Sequence, residues 1–147
     1  MTIGHYPGVY AEQSVPADID GDGDLDLFAT NGSKLYWLEQ PNTSGHWLPT
    51  DIQPLVADLY RLNCCDIDGD GDVDLIAAEQ GNETTSIWEN LDGLGGSWQK
   101  RLLTQLDSTM ILPDDLDNDG DLDIVCSDAG YKTIWMENVD GSGSVWN

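Results

Sequence analysis

Asp18-Ile19-Asp20-Gly21-Asp22-Gly23-Asp24-Leu25-Asp26 is a nine-residue phrase that this chain writes three times. It returns as Asp66-Ile67-Asp68-Gly69-Asp70-Gly71-Asp72-Val73-Asp74 and as Asp115-Leu116-Asp117-Asn118-Asp119-Gly120-Asp121-Leu122-Asp123. The opening aspartates lie 48 and then 49 residues apart, at 18, 66 and 115. Alternating carboxylates with glycine at the sixth place suit a hard cation, and a fixed period suits a stack of equal structural units.

Working outward from each loop, a short apolar run follows it: Leu25–Ala29, Val73–Ala78 and Leu122–Cys126. Turn residues come next, at Asn31-Gly32, Gly81-Asn82 and Ala129-Gly130. A second strand is expected over Lys34–Glu39, Thr85–Glu89 and Lys132–Glu137, closing in Trp-Leu-Glu-Gln, Trp-Glu-Asn or Trp-Met-Glu-Asn. A Gly-rich loop then leads to Trp47, Trp98 or Trp146. Third strands are expected at Leu48–Ile52 and Gln99–Leu103, and fourth strands at Leu59–Cys65 and Thr109–Pro113. Helical periodicity is absent over any useful length. The fold class is therefore all-β, with three four-stranded blades of about 48 residues forming one β-propeller domain over residues 1–147. In the second unit Trp88 sits one residue nearer its glutamate than Trp37 or Trp135, which predicts a bulge or a deletion there.

Thr2-Ile3 aligns with the third-strand position, and Trp146-Asn147 stops just before that strand would begin. The N-terminus is therefore expected to complete the last blade. Propellers typically close with 4–8 blades, so three leave two apolar faces in water. Either two copies close a six-bladed ring as a homodimer, or the chain is part of a longer one; the near-whole number of repeats favours the homodimer.

In each loop the carboxylates at positions 1, 3, 5 and 9 can converge on one ion, with the position-7 backbone carbonyl adding an oxygen. Calcium accepts six to eight oxygens in tolerant geometry, whereas magnesium demands an octahedron and keeps its waters. One Ca2+ per loop, about three per chain, is the expectation. A single loop of this composition is compatible with a solvated acidic turn; three in register are not. An EF-hand is excluded because position 12 is Ala29, Ala77 and Cys126, inside expected strands, where that motif needs glutamate. The Gly-Gly-x-Gly-x-Asp nonapeptide of calcium-binding β-helices is also missing.

Composition narrows the partners. The formal charge is −23, from 28 acidic against five basic residues. Lys34, Arg61, Lys100, Arg101 and Lys132 are scattered, so neither nucleic acid nor an anionic membrane surface is an expected partner. Six Trp, five Tyr and 39% hydrophobic residues place the chain among folded domains despite its acidity. Cys64, Cys65 and Cys126 lie in apolar strand-like segments and read as small buried hydrophobes. Met1-Thr-Ile-Gly-His-Tyr-Pro-Gly lacks the basic start and apolar core of a secretion signal.

These residues resemble the calcium-binding β-propeller repeats of the FG-GAP/VCBS type, whose signature looks like Asp-x-Asp-Gly-Asp-Gly-x-x-Asp-Leu, a strand, Trp-x-Glu-Asn and Gly-x-Trp. The resemblance covers nearly the whole chain. It implies a calcium held between the first two strands of each blade. The side-chain ligands it implies are Asp18, Asp20, Asp22 and Asp26; Asp66, Asp68, Asp70 and Asp74; and Asp115, Asp117, Asp119 and Asp123. Peptide oxygens of Asp24, Asp72 and Asp121 complete the sets. Phe-Gly and Gly-Ala-Pro elements are missing, the only phenylalanine being Phe28, so the chain stands nearer the VCBS-like branch.

Catalytic material is thin: the carboxylates are committed to metal, and the two histidines, His5 and His46, do not recur. The expected function is a non-enzymatic, calcium-stabilised binding or adhesion module, or a self-assembling structural one, with a carbohydrate or protein ligand. The alternative is the propeller portion of a polysaccharide lyase or other extracellular enzyme. Trp47, Trp98 and Trp146 are candidate sugar-stacking faces, although aromatics that recur in every unit more often pack between units. Loops of this kind need calcium above resting cytosolic levels, so the expected compartment is extracellular or periplasmic.

Overall fold

The computed structural model describes residues 13–31, 34–41, 47–54, 59–79, 82–106, 108–128, 130 and 132–147. The strand expected at Thr2-Ile3, and His5 and His46, lie outside them. The described residues form eleven strands in three antiparallel sheets and no helix, so none is long and apolar enough to cross a membrane.

The first sheet runs β1 (Gln13–Ala17), β2 (Asp26–Thr30), β3 (Lys34–Glu39), β4 (Leu48–Pro54). The second runs β5 (Leu59–Cys65), β6 (Asp74–Glu79), β7 (Thr84–Asn90), β8 (Trp98–Thr104). The third holds β9 (Ser108–Asp114), β10 (Asp123–Asp128) and β11 (Thr133–Met136). A bridge between Asn138 and Trp146 stands where its fourth strand would begin. Each Asp loop joins the first two strands of its sheet. Chain neighbours pair throughout, as short connections dictate.

Two apolar clusters hold the sheets face to face. One joins Ile19, Phe28, Leu35 and Trp37 of the first sheet to Leu59, Leu75, Ala77 and Trp88 of the second. The other joins Ile67, Ile76, Ala78 and Ile87 of the second to Ile111, Ile124 and Cys126 of the third. The second sheet is thus covered on both sides, and β6 is buried at every position. That explains why Asp74-Leu-Ile-Ala-Ala-Glu79 reads as an unbroken run, since alternation survives only where one face meets water.

The expected bulge or deletion at Trp88 is not there. β6 and β7 pair without a break from Leu75↔Trp88 to Glu79↔Thr84. Ile87-Trp88-Glu89-Asn90 aligns directly with Trp37-Leu38-Glu39-Gln40 and Trp135-Met136-Glu137-Asn138, and the tryptophan has moved to the neighbouring place. Successive strand residues face opposite ways, so Trp88 packs toward the first sheet while Ile87 faces the third. Real register shifts occur elsewhere, at the equivalent steps Leu35/Tyr36 and Thr85/Ser86.

Trp88 has a further neighbour. The Lys100 ammonium lies 5.2 Å from its ring centroid and pairs with Glu79, a carboxylate only 1% exposed. Ser86 Oγ–H and Asn82 Nδ2–H also donate to Glu79, at 2.8 and 3.2 Å. Burial alone would raise this carboxyl; Lys100, Ser86 and Asn82 outweigh it and hold the pKa below its ordinary value. A depressed folded-state pKa contributes stability above the unfolded value of 4.5, lost as pH falls through the folded one. Lys100→Met should cost about 1–3 kcal/mol at neutral pH by urea denaturation, a buried carboxylate losing its countercharge. The deficit should shrink on acidification below about pH 4, as the carboxylate protonates in both states.

Candidate metal centres

Each Asp loop is built by its own side chains. The position-1 carboxylate accepts the position-6 amide: Gly23 N–H to Asp18 at 3.1 Å, Gly71 N–H to Asp66 at 3.0 Å and Gly120 N–H to Asp115 at 3.2 Å. The position-3 carboxylates accept from position 5, and those at position 5 from position 7, at 2.9–3.3 Å. Such side-chain-to-backbone bonds two residues apart are what aspartate contributes to turns. The chain enters left-handed space twice per loop. Position 4 has φ of 71°, 75° and 64° at Gly21, Gly69 and Asn118, while the position-6 glycines reach 94–101°. Asparagine tolerates the first region, so the third loop replaces glycine at position 4 and keeps it at position 6.

The result is a carboxylate cluster at the same place in all three sheets. Oxygens of Asp18, Asp20 and Asp22 lie within 4.8 Å of one another, as do those of Asp115, Asp117 and Asp119. In the second loop the grouped residues are Asp66, Asp68 and Asp74. At this separation each charged pair costs roughly 1 kcal/mol even in bulk water. Burial, followed by the neighbouring charge of Asp70 or Asp119, raises the pKa of Asp68 and Asp117. Asp18 Oδ1 is buried and has no hydrogen-bond donor among the described residues. An oxygen withdrawn from water and left without a donor fits a cation, and so does the acceptor-only chemistry of the set.

Position 9 is different. Asp26, Asp74 and Asp123 are essentially inaccessible and hold the sheet together. Asp26 accepts the Gln40 amide at 2.7 Å and the Trp37 indole N–H at 2.9 Å. Asp74 accepts the amides of Asn90 and Ile67 at 2.9 and 3.0 Å. Asp123 accepts the Asn138 amide at 2.9 Å, the Trp135 indole at 3.0 Å and the Leu116 amide at 3.3 Å. Desolvation nevertheless pushes Asp26 up from its ordinary value and Asp74 up to about 7. Of these three carboxylates, Asp74 alone is grouped with its loop's position-1 and position-3 oxygens.

Position 7 turns its side chain elsewhere. The Asp72 carboxylate fills the place where a Cβ on Gly93 would stand, and Asp121 does the same at Gly141. Each abuts the Gly-rich loop that follows the third strand of its sheet. Trp98 and Trp146 leave these loops. Their indoles donate to the carbonyls of Gly95 and Gly143 at 2.8 Å and pack against the two inter-sheet clusters, Trp98 edge-on to Phe28 at 5.4 Å. Trp47 is half-buried at the matching place in the first sheet.

The asparagine of the Trp-Glu-Asn and Trp-Met-Glu-Asn phrases carries a role the sequence reading missed. Asn90 Nδ2–H donates to the Ile19 carbonyl at 3.1 Å, and Asn138 Nδ2–H to the Ile67 carbonyl at 3.2 Å. Both spans are 71 residues, so each asparagine ties its sheet to the Asp loop of the preceding one. Their side-chain oxygens accept the Gly95 and Gly143 amides, fixing the Gly-rich loops against that same neighbour. Recurrence of the asparagine was the available signal.

No cysteine falls in a candidate metal cluster among the described residues. Burial pushes all three thiols up, with the Asp74 charge adding at Cys64 and Cys65, so none is a thiolate at neutral pH.

Residues 66–126, from the first aspartate of the second loop to Cys126 on β10, match the family model of an FG-GAP-like repeat. The resemblance read from the Asp loops is thereby shown over that stretch. No curated protein and no solved structure matches the chain.

Proposed function

We propose that this chain is a calcium-stabilised β-propeller module, each sheet a blade, that acts by binding or scaffolding and not by catalysis. The observation that carries the reading is the recurrence of one carboxylate cluster between the first two strands of all three sheets. FG-GAP-like repeats imply a propeller-type module, and face-to-face stacking of the sheets through two apolar clusters supports it. In this reading the carboxylates at positions 1, 3 and 5 take one Ca2+ per loop, joined in the second loop by Asp74. The ion supplies countercharge and fixes each loop where the next sheet's asparagine grips it. Asp26 and Asp123 support the sheet from beneath.

Four of the five basic side chains favour a non-enzymatic role. Lys34 pairs with Asp51, Lys100 with Glu79, and Arg101 with Glu89 at 2.9 Å, while Arg61 Nε–H donates to the Thr109 carbonyl. These four are tied into the sheets, where a lyase would need a cation free to meet an acidic sugar; Lys132, exposed on the third sheet's side, is the basic residue left for that part. Packing of Trp98 and Trp146 makes the inter-sheet role their first one, so a carbohydrate or protein ligand is expected on other loop surfaces. Calcium dependence suits an extracellular or periplasmic setting. Isothermal titration should give close to three calcium ions per chain. A glycan array and a pull-down, each run in calcium and in EGTA, then test for a ligand; release of an unsaturated-sugar chromophore from an acidic polysaccharide would replace this reading with the lyase.

A further inference from the structure

Every sheet has a face that the next one covers, and the third sheet shows its own uncovered. Position 2 of the loop makes the contrast plain: Ile19 and Ile67 are each 1% exposed, while Leu116 is 43% exposed. On the second strand from each loop, Trp37 and Ile87 are 9% and 1% exposed, and their counterpart Trp135 is 49% exposed. The strand before the loop repeats the pattern. Arg61 and Asn63 on β5 reach across to the carbonyls of Thr109 and Ile111 on β9. At the same two places β9 carries Met110 and Leu112, 37% and 48% exposed.

We infer that this face of the third sheet docks on the first sheet of a second copy of the chain, continuing the two junctions already present inside it. The inference rests on the propeller reading above. At its loop end the first sheet carries the groups that the second and third use to cover their predecessors, while Ala29 and Leu38 on the same face are already buried. Gln40 stands where Asn90 and Asn138 stand, placed to donate to the Leu116 carbonyl as they donate to Ile19 and Ile67. Trp47 stands where Trp98 and Trp146 leave their Gly-rich loops. Leu25, widely exposed, stands where Leu122 packs against the junction of the second and third sheets. Exposed apolar residues in this arrangement mark an interaction surface. The two faces differ, so a pair of copies forms the junction twice about a two-fold axis and closes six sheets, within the 4–8 blades that propellers use.

Sedimentation equilibrium of the full chain in saturating calcium tests this. The wild type should show the mass of two chains. Leu112→Lys and Met110→Lys, which place a charge in the junction without touching a loop, should each show the mass of one chain. Both should keep the wild-type far-UV spectrum and calcium-dependent melting, and if one does not fold, the other decides. A one-chain wild-type mass overturns the inference and leaves the neighbour to come from a longer chain. A mass that climbs past two chains with concentration overturns it too, as does a two-chain mass in a folded variant. None of these outcomes bears on calcium binding, which the melting curve reads independently.

Discussion

In saturating calcium the chain should melt about 20 °C higher than in excess EGTA. A ligand that binds only the folded state stabilises it by about 2.7 kcal/mol per site at a hundredfold excess over Kd. Three independent sites give about 8 kcal/mol, comparable to the whole stability of an ordinary domain. At this size each kcal/mol moves Tm by roughly 3 °C. The apo loops add their own penalty, since each holds five carboxylates in nine residues with nothing to offset them. Scanning calorimetry and the far-UV transition should shift together. Magnesium should restore only part of the shift, because a three-carboxylate turn suits an ion with many, loosely arranged oxygens better than a strict octahedron. An EGTA curve lying on the calcium curve removes the metal reading and leaves acidic turns that keep their water.

The strands were legible because their signals are local. Lys34–Glu39 and Leu59–Cys65 stand where apolar content and turn residues put them, and the other strands expected among the described residues begin or end within two residues of expectation, while β1 was not expected. β2 starts at Asp26 and not Leu25, since the ladder opens with Ala17 opposite Asp26. Loop geometry was equally legible, because glycine at position 6 answers a φ that other residues avoid. What stayed hidden depends on partners far along the chain. Nothing near Asn90 announces a hydrogen bond to Ile19, 71 residues back. The shift of tryptophan from position 87 to 88 looked like a break in the strand because spacing alone cannot tell an inserted residue from an exchanged one. The division of labour among the aspartates was hidden for a third reason. All five look alike in sequence, and only burial separates the more accessible carboxylates of the cluster from the ninth residue beneath the sheet, Asp74 belonging to both.

That division gives a sharp test in the third loop, comparing Asp119→Ala with Asp123→Ala. Asp119 is exposed, and apart from the Asp121 amide its surroundings are the other carboxylates of the cluster. Removing it should weaken calcium binding at that loop and lower Tm in calcium. In EGTA it should leave Tm unchanged or raise it slightly, because one repelling charge has gone. Asp123 is 1% exposed and satisfies three donors: the amides of Leu116 and Asn138 and the indole of Trp135. Its loss strands those donors, one of them the backbone amide of Asn138, the residue that grips the second sheet. Unmet buried donors cost about 1–3 kcal/mol each, so Asp123→Ala should lose about 3 kcal/mol or more, or some 10 °C, in calcium and EGTA alike. Asp123→Asn separates charge from shape: it keeps an acceptor oxygen for part of the network and should fall between wild type and alanine. If Asp123→Ala behaves as Asp119→Ala does, harmless without metal and costly with it, the ninth residue is a ligand like the rest and the support role assigned to it is wrong. If both variants are costly in EGTA, the loop holds its shape through its own hydrogen bonds, and cation binding is secondary to them.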